Sequence, residues 1–360
     1  MREKIIQLVI VIFALLVGVL GTLYFTKDTD KDQIVSKTKN VTIKENDTIN
    51  ESVKKIYNAV VVVESYRQDT LAGSGSGFVY KKEGKYGYIL TNYHVVDGAS
   101  SLKIVNMNGD EVDAEYLGGD SYADIAVIKI AADKVLDVAS IGESTKAKLG
   151  DTVFTVGTPI NSEYIGSVTK GIVSGESRTI TVSDENRGNY MMEVLQTDAS
   201  INPGNSGGPL VNINGEVIGI TSMKLVTDAI EGMGFAIPIE IAMSSVKKLE
   251  KGEKIERPYI GVRLYDLNST AILFNRDIKV DKSVTNGVVV AAIDKDSAAD
   301  KGGLEVGDVI IEVDGTKIKS AAHLKFMLYK HEIGDTIKLK INREGKEKDL
   351  SMKLDKSLGD

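Results

Sequence analysis

From Ile5 to Phe25 the chain is apolar apart from Gln7, Thr22 and Tyr24. A stretch of about 20 apolar residues is long enough to cross a bilayer as a helix. Arg2 and Lys4 precede it against one acidic residue, Glu3, a balance that favours a cytoplasmic N-terminus. The run exceeds the ~7–15-residue core of a cleaved signal peptide. Gly18-Val19-Leu20-Gly21 is a poor small-x-small cleavage site. The pattern predicts a cytoplasmic 1–4 and a transmembrane helix over 5–25. Residues 26–50 then turn dense in Lys, Asp, Thr and Asn, which predicts a solvated tether.

From Ser52 to Lys251 the pattern changes to short apolar runs separated by turns. Ala59–Val63, Gly77–Tyr80, Tyr88–Leu90, Ile125–Ile130, Val153–Val156, Ile172–Val173, Leu210–Ile213 and Val217–Ile220 read as strands. Asn108-Gly109 and Asn214-Gly215 sit between such runs, the strongest short hairpin signal. Many short strands at this spacing predict an all-β sandwich or barrel. Ile241, Val246 and Leu249 on a charged background predict one closing helix, ended by Gly252. After a charged linker at 253–257 the texture changes again over 258–354. Gly287–Val290, Val309–Ile310, Thr336–Ile341 and Glu347–Leu354 read as strands, and Ser297–Lys301 as a short helix. Ser320 caps a second helix bearing Leu324, Met327 and Leu328.

Composition narrows the classes. At ~100–200 residues per domain, 360 residues suggest two or three units, and 42% hydrophobic content supports a sizeable core. A net charge of −7 argues against nucleic acid as a partner. The absence of cysteine excludes disulfides, thiolate metal sites and a cysteine nucleophile.

The chemistry centres on Thr197–Leu210, where a glycine-rich turn, Gly204-Asn205-Ser206-Gly207-Gly208, separates two apolar runs. Glycines there let the backbone take otherwise closed conformations and let a substrate approach. A serine held on such a turn beside converging N–H groups has the geometry of a nucleophile with an oxyanion hole. A loop serine that merely caps a turn is the competing reading. A serine nucleophile needs a base, and the chain holds three histidines. His94, in Thr91-Asn92-Tyr93-His94-Val95-Val96, is the one in the serine's half of the chain. Asp124, opening the apolar Ile125–Ile130 run, is the candidate carboxylate to orient it. The chain order His94, Asp124, Ser206 is that of chymotrypsin-type enzymes.

These three motifs resemble the HtrA/Deg family of extracytoplasmic serine proteases, from about Glu51 to the C-terminus. The resemblance implies a mainly β protein: a chymotrypsin-like double β-barrel protease domain over 51–252, then a small α+β PDZ domain over 258–354 and a tail at 355–360. It implies that His94, Asp124 and Ser206 are catalytic, with Gly204, Asn205 and Ser206 forming the oxyanion hole. It puts uncharged Ser200 at the pocket floor, Phe235, Ala236 and Ile237 along its walls, and Ser222 and Met223 beside the substrate backbone. Such a pocket would take a small or branched apolar side chain. Asn205 stands where digestive proteases carry an aspartate that pairs with a new N-terminus. Activation would therefore fall to loop ordering, with 175–190 and 223–234 as the candidate loops. Tyr259, Ile260, Gly261 and Val262 resemble a PDZ carboxylate-binding loop, faced by Leu324, Met327 and Leu328. The implied activity is ATP-independent degradation of misfolded extracytoplasmic proteins, without metal or organic cofactor, by a membrane-anchored homotrimer or higher oligomer. A regulatory protease cutting one signalling protein, or a chaperone-like binder, are the alternatives.

Overall fold

A computed structural model describes residues 2–27, 45–158, 165–183, 188–225 and 232–357. The chain divides into two compact units, Met1–Lys44 and Glu45–Asp360. In the first, helix α1 (Arg2–Lys27) leaves its apolar side chains exposed, Phe13 at 68%. The helix covers the span expected from the apolar run and lies long and apolar enough to cross a membrane over Lys4–Leu23.

The second unit begins earlier than the polar composition suggests. Residues 45–50, expected as tether, belong to helix α2 (Glu45–Tyr57). Ser52 and Ile56 are buried, and Val53 and Tyr57 pack against the core, so one face of this helix is docked despite its charge. The remainder of the expected tether, 28–44, lies outside the described residues.

Among the described residues, β1 (Val60–Arg67), β2 (Thr70–Glu83), β3 (Tyr86–Thr91), β4 (Ser101–Val105), β5 (Glu111–Asp120) and β6 (Ile125–Ala131) close a barrel in the order β1-β2-β3-β6-β5-β4. The one-turn helix α3 (Tyr93–Val96) follows β3. A second sheet has the order β11-β8-β9-β10-β13-β12-β7 and is closed by pairing of β11 with β12. Its strands are β7 (Ser140–Ile141), β8 (Thr152–Gly157), β9 (Ser167–Val182), β10 (Tyr190–Thr197), β11 (Pro209–Asn212), β12 (Glu216–Thr221) and β13 (Gly234–Pro238). Strands β6 and β8 are largely apolar because both of their faces are buried. Along β6, Ala126 and Ile128 fill the first barrel while Ile125 and Val127 join the layer between the barrels. Along β8, Val153 fills the second barrel while Phe154 and Val156 join that same layer. Helix α4 (Ile239–Leu249) closes this layer with Ile239, Ala242, Val246 and Leu249, and Ile241 is only partly buried.

Beyond it, β14 (Val262–Asp266), β15 (Val288–Ile293), β16 (Val309–Val313), β18 (Thr336–Arg343) and β19 (Lys346–Lys353) form a sheet in that order, with β17 (Thr316–Lys317) on β16. Helices α5 (Thr270–Asn275), α6 (Ala298–Lys301) and α7 (Ala321–Leu328) complete it. The Ser320 hydroxyl caps α7 by accepting from His323 N–H. Among the described residues strand β14 pairs with β15 alone, which leaves its other edge unpaired in the sheet.

The two β domains meet at Arg257. Its guanidinium reaches both Asp120 carboxylate oxygens at 2.8 and 2.6 Å, and lies 4.9 and 5.3 Å from the Tyr122 and Tyr329 rings. Burial and a hydrogen bond with Tyr122 push the Tyr329 phenol above its ordinary range, so it stays neutral in this contact.

Candidate active site

Turns at the mouth of the two barrels bring the chemistry together. Asp124 follows a turn braced by Asp120, whose carboxylate accepts from Tyr122 and Ala123 N–H. The Asp124 side chain is fully buried. His94, on α3, presents Nδ1 at 2.8 Å from Asp124 Oδ2 and 3.0 Å from Oδ1. Its backbone N–H donates to Oδ1 at 3.0 Å. A second hydroxyl enters from the other barrel, where Ser222 Oγ donates to Asp124 Oδ2 at 2.9 Å. The buried carboxylate is thus fully hydrogen-bonded, as a buried charge must be. An Nδ1–H donated to it leaves His94 Nε2 as the basic nitrogen, and that ring is still 29% exposed to the cleft.

Ser206 sits on the loop between β10 and β11 and is nearly buried at 5%. Among the described residues no hydrogen bond joins it to His94. Its Oγ instead accepts from Met223 N–H at 3.0 Å, because the chain after Ser222 turns into a short 3-10 segment, Met223–Leu225, that aims this N–H at the serine. Met223, expected beside the substrate backbone, therefore contacts the serine itself. Ser222, expected there too, spends its hydroxyl on Asp124 and its N–H on Phe235 C=O at 3.1 Å.

The oxyanion residues divide. Asn205 C=O accepts from Thr221 Oγ1 at 2.6 Å and from Gly208 N–H at 2.9 Å. Its own N–H donates to Asn202 C=O at 2.9 Å. Asn205 is therefore a brace and not a donor to substrate. Among the described residues the N–H groups of Gly204 and Ser206 take no partner. Gly204 has φ +101°, which a side-chain-bearing residue would avoid.

The expected pocket walls are corrected in part. Phe235 and Ile237 project into the layer between the barrels, and Ala236 into the interior of the second. Alternation along β13 sends neighbouring side chains to opposite faces, so the three side chains do not share one wall. Ser200 is exposed, and its C=O accepts from Thr169 Oγ1 and Asn205 Nδ2. Beside them, Gly234 lies against Ile201: a Cβ on Gly234 would lie 2.6 Å from Ile201 Cγ1. Of the candidate ordering loops, residues 184–187 and 226–231 lie outside the described residues.

In the C-terminal domain Ile260 C=O accepts from Ala299 N–H at 2.8 Å and Gly261 C=O from Asp294 N–H at 2.9 Å. The carbonyls of this loop are thus tied back. Gly261 has φ +77°, and a Cβ there would lie 2.2 Å from that of Ser297. Tyr259 is held at its hydroxyl by Asp294, and Val262 begins β14. Leu324 and Leu328, expected in the facing wall, are core residues at 0% and 5% exposure, and Met327 is the half-buried one. Ala321 N–H donates to Asp266 Oδ1 at 2.6 Å, tying α7 to β14.

Comparison with known proteins identifies both domains. Residues 75–220 match the trypsin-like peptidase domain and residues 258–354 the PDZ domain. The serine protease Do-like HtrA of Lactococcus lactis subsp. cremoris (strain MG1363) is 38% identical over 353 aligned residues, covering 90% of this chain and 87% of that protein. The serine endoprotease of Yersinia pestis superimposes with TM-score 0.63 at 30% identity, covering 86% of this chain and 98% of that one. The HtrA-type protease AlgW with a decapeptide gives TM-score 0.65 at 27% identity, covering 85% and 97%. A mainly β chain with this peptidase domain, this PDZ domain and these relatives belongs to the HtrA family of serine proteases.

Proposed function

We propose that the protein is an ATP-independent endopeptidase that degrades misfolded or damaged proteins outside the cytoplasm. The observation that carries this reading is the convergence on Asp124: a buried carboxylate held by Ser222 and His94, within one cleft with Ser206. His94 Nε2 takes the Ser206 proton as Oγ attacks a peptide carbonyl. It returns that proton to the leaving amine as the C–N bond breaks, and water then releases the acyl group. The N–H groups of Gly204 and Ser206 receive the oxyanion. For this, Ser206 Oγ must leave Met223 N–H and meet His94. Hydrogen bonds of this kind commonly tighten only in the substrate complex. Uncharged Ser200, with Ile201 close against Gly234, favours small or branched apolar side chains before the cut bond.

The unpaired edge of β14 and the tied-back loop at Ile260–Gly261 fit an extended peptide that ends in a free carboxylate. That a related protease is known with a decapeptide fits peptide recognition. Helix α1 would anchor the chain with both domains outside the cytoplasm, and a homotrimer or larger assembly would follow the family. The test is incubation of the full chain in detergent with an unfolded polypeptide. Ser206→Ala and His94→Ala should each lose at least about 10³-fold in kcat, and the double variant little more. Normal cleavage by folded Ser206→Ala would sink the assignment. For the PDZ domain, calorimetry with matched acid and amide peptides should show about tenfold or greater weakening on amidation, near 1.4 kcal/mol. Equal affinities would remove carboxylate recognition.

A further inference from the structure

Ser76 lies on β2, in the first barrel, and is fully buried. It touches none of His94, Asp124 or the Ser206 hydroxyl through a hydrogen bond. Yet all four of its polar valences go to the elements that frame them. Its N–H donates to Ser206 C=O at 2.8 Å. Its Oγ donates to Gly204 C=O at 2.7 Å and accepts from Thr158 N–H at 3.2 Å. Its own C=O accepts from Thr91 Oγ1 at 2.8 Å. Ser76 can sit this close only because Gly207 of the loop and Gly157 at the end of β8 lack side chains. A Cβ on Gly207 would lie 2.2 Å from Ser76 O, and one on Gly157 would lie 3.0 Å from Ser76 Oγ.

We infer that the Ser76 hydroxyl is a positioning residue for the oxyanion donors, reaching across from one barrel to set the loop of the other. The reason lies in the peptide planes. The plane joining Asn205 to Ser206 is held through Asn205 C=O by Thr221 and Gly208, which turns the Ser206 N–H away from them. The plane joining Gly204 to Asn205 is held at one edge by Asn202, which accepts Asn205 N–H. Its other edge, Gly204 C=O, is held by Ser76 Oγ. With that plane fixed, the direction of Gly204 N–H depends on rotation about Gly204 alone, a residue with φ +101°. Release of Ser76 Oγ frees the plane to tilt and carries the Gly204 donor off the developing charge. Donors aimed before the reaction are what lower the barrier, so the loss falls on the transition state and not on substrate binding.

This rests on the proteolytic reading of Ser206, and the experiment separates the two. Full-length wild type, Ser76→Ala and Ser76→Cys are compared in detergent, with active sites counted by a covalent serine reagent. Ser76→Ala should lose about 10–100-fold in kcat per active site with KM little changed, short of the ~10²–10³-fold cost of deleting an oxyanion donor. The inhibition constant of a tetrahedral-adduct-forming peptide boronate should rise in step with the fall in kcat/KM. Ser76→Cys, which keeps a weak donor, should recover part of the loss. A Ser76→Ala protein with a lower melting temperature but unchanged kcat per active site and unchanged boronate affinity would overturn the inference, leaving Ser76 a packing residue. Cleavage by Ser206→Ala in the same assay would instead overturn the reading on which it rests.

Discussion

Asp124 takes a left-handed backbone, φ +55°, uncommon for a residue with a side chain but least unfavourable for Asp and Asn. Something must hold it there, and Asn92 does: its Nδ2 donates to Asp124 C=O at 2.9 Å from a fully buried position. Asn92→Ala should release that carbonyl, at a cost of ~1–3 kcal/mol for a buried group left unpaired. The expected result is a lower melting temperature together with a fall in kcat/KM, since the carboxylate beneath His94 moves with its backbone. Unchanged melting and kinetics would show that Asp124 holds this conformation unaided. Sequence could point to Asp124 and His94 because their spacing and the chain order restrict the choices. It could not assign Asn92, Ser222 or Ser76, whose roles exist only once remote strands meet. Ser222 is the plainest case: by position it looked like a strand facing substrate, and its hydroxyl instead braces Asp124.

Among the elements, the strands were easier to find than their lengths. The run Ile172–Val173 proves to be part of β9, Ser167–Val182, whose further residues are exposed and mixed in polarity and so carry no periodic signal. The same hairpin, β9 with β10, supports α7 of the PDZ domain, with Tyr122 set edge-on to both Tyr190 and Tyr329. The linker at 253–257 looked like a charged spacer, but its last residue, Arg257, is 16% exposed and its Nη2 reaches both carboxylate oxygens of Asp120, 2% exposed. Breaking one side of a buried pair leaves an uncompensated charge and costs ~3–5 kcal/mol. Arg257→Ala should therefore lower the melting temperature and speed cutting of the linker by an added protease. Arg257→Lys should fall between, because an ammonium keeps the charge on Asp120 but loses the planar guanidinium over the Tyr122 and Tyr329 rings. A linker no more sensitive in Arg257→Ala than in wild type would show that apolar contact at Tyr122 and Tyr329 suffices to dock the domain.

For the whole molecule, α1 is long and apolar enough to cross a membrane over Lys4–Leu23. Its exposed apolar surface has no partner chemistry in water and fits a lipid bilayer. The full chain should stay with membranes through high-salt and alkaline washing and keep Met1 at its N-terminus. A soluble form starting near Gly21 or Thr22 would make the segment a cleaved signal. Some features of the molecule follow from local chemistry alone. A twenty-residue apolar run, Asn-Gly turns between strands, a Ser cap on α7 and a glycine-rich loop around Ser206 each need only neighbours in the chain, so each was readable in one dimension. Tertiary structure decided the rest. It closed the barrels, sent Phe235 and Ala236 to opposite cores, and turned Asn205 from donor to brace. It also placed Met223 N–H on the nucleophile and aimed Ser76 at Gly204 across 128 residues of chain. Hydrogen bonds and packing between distant segments depend on where the backbone returns, and no spacing along the chain encodes that position.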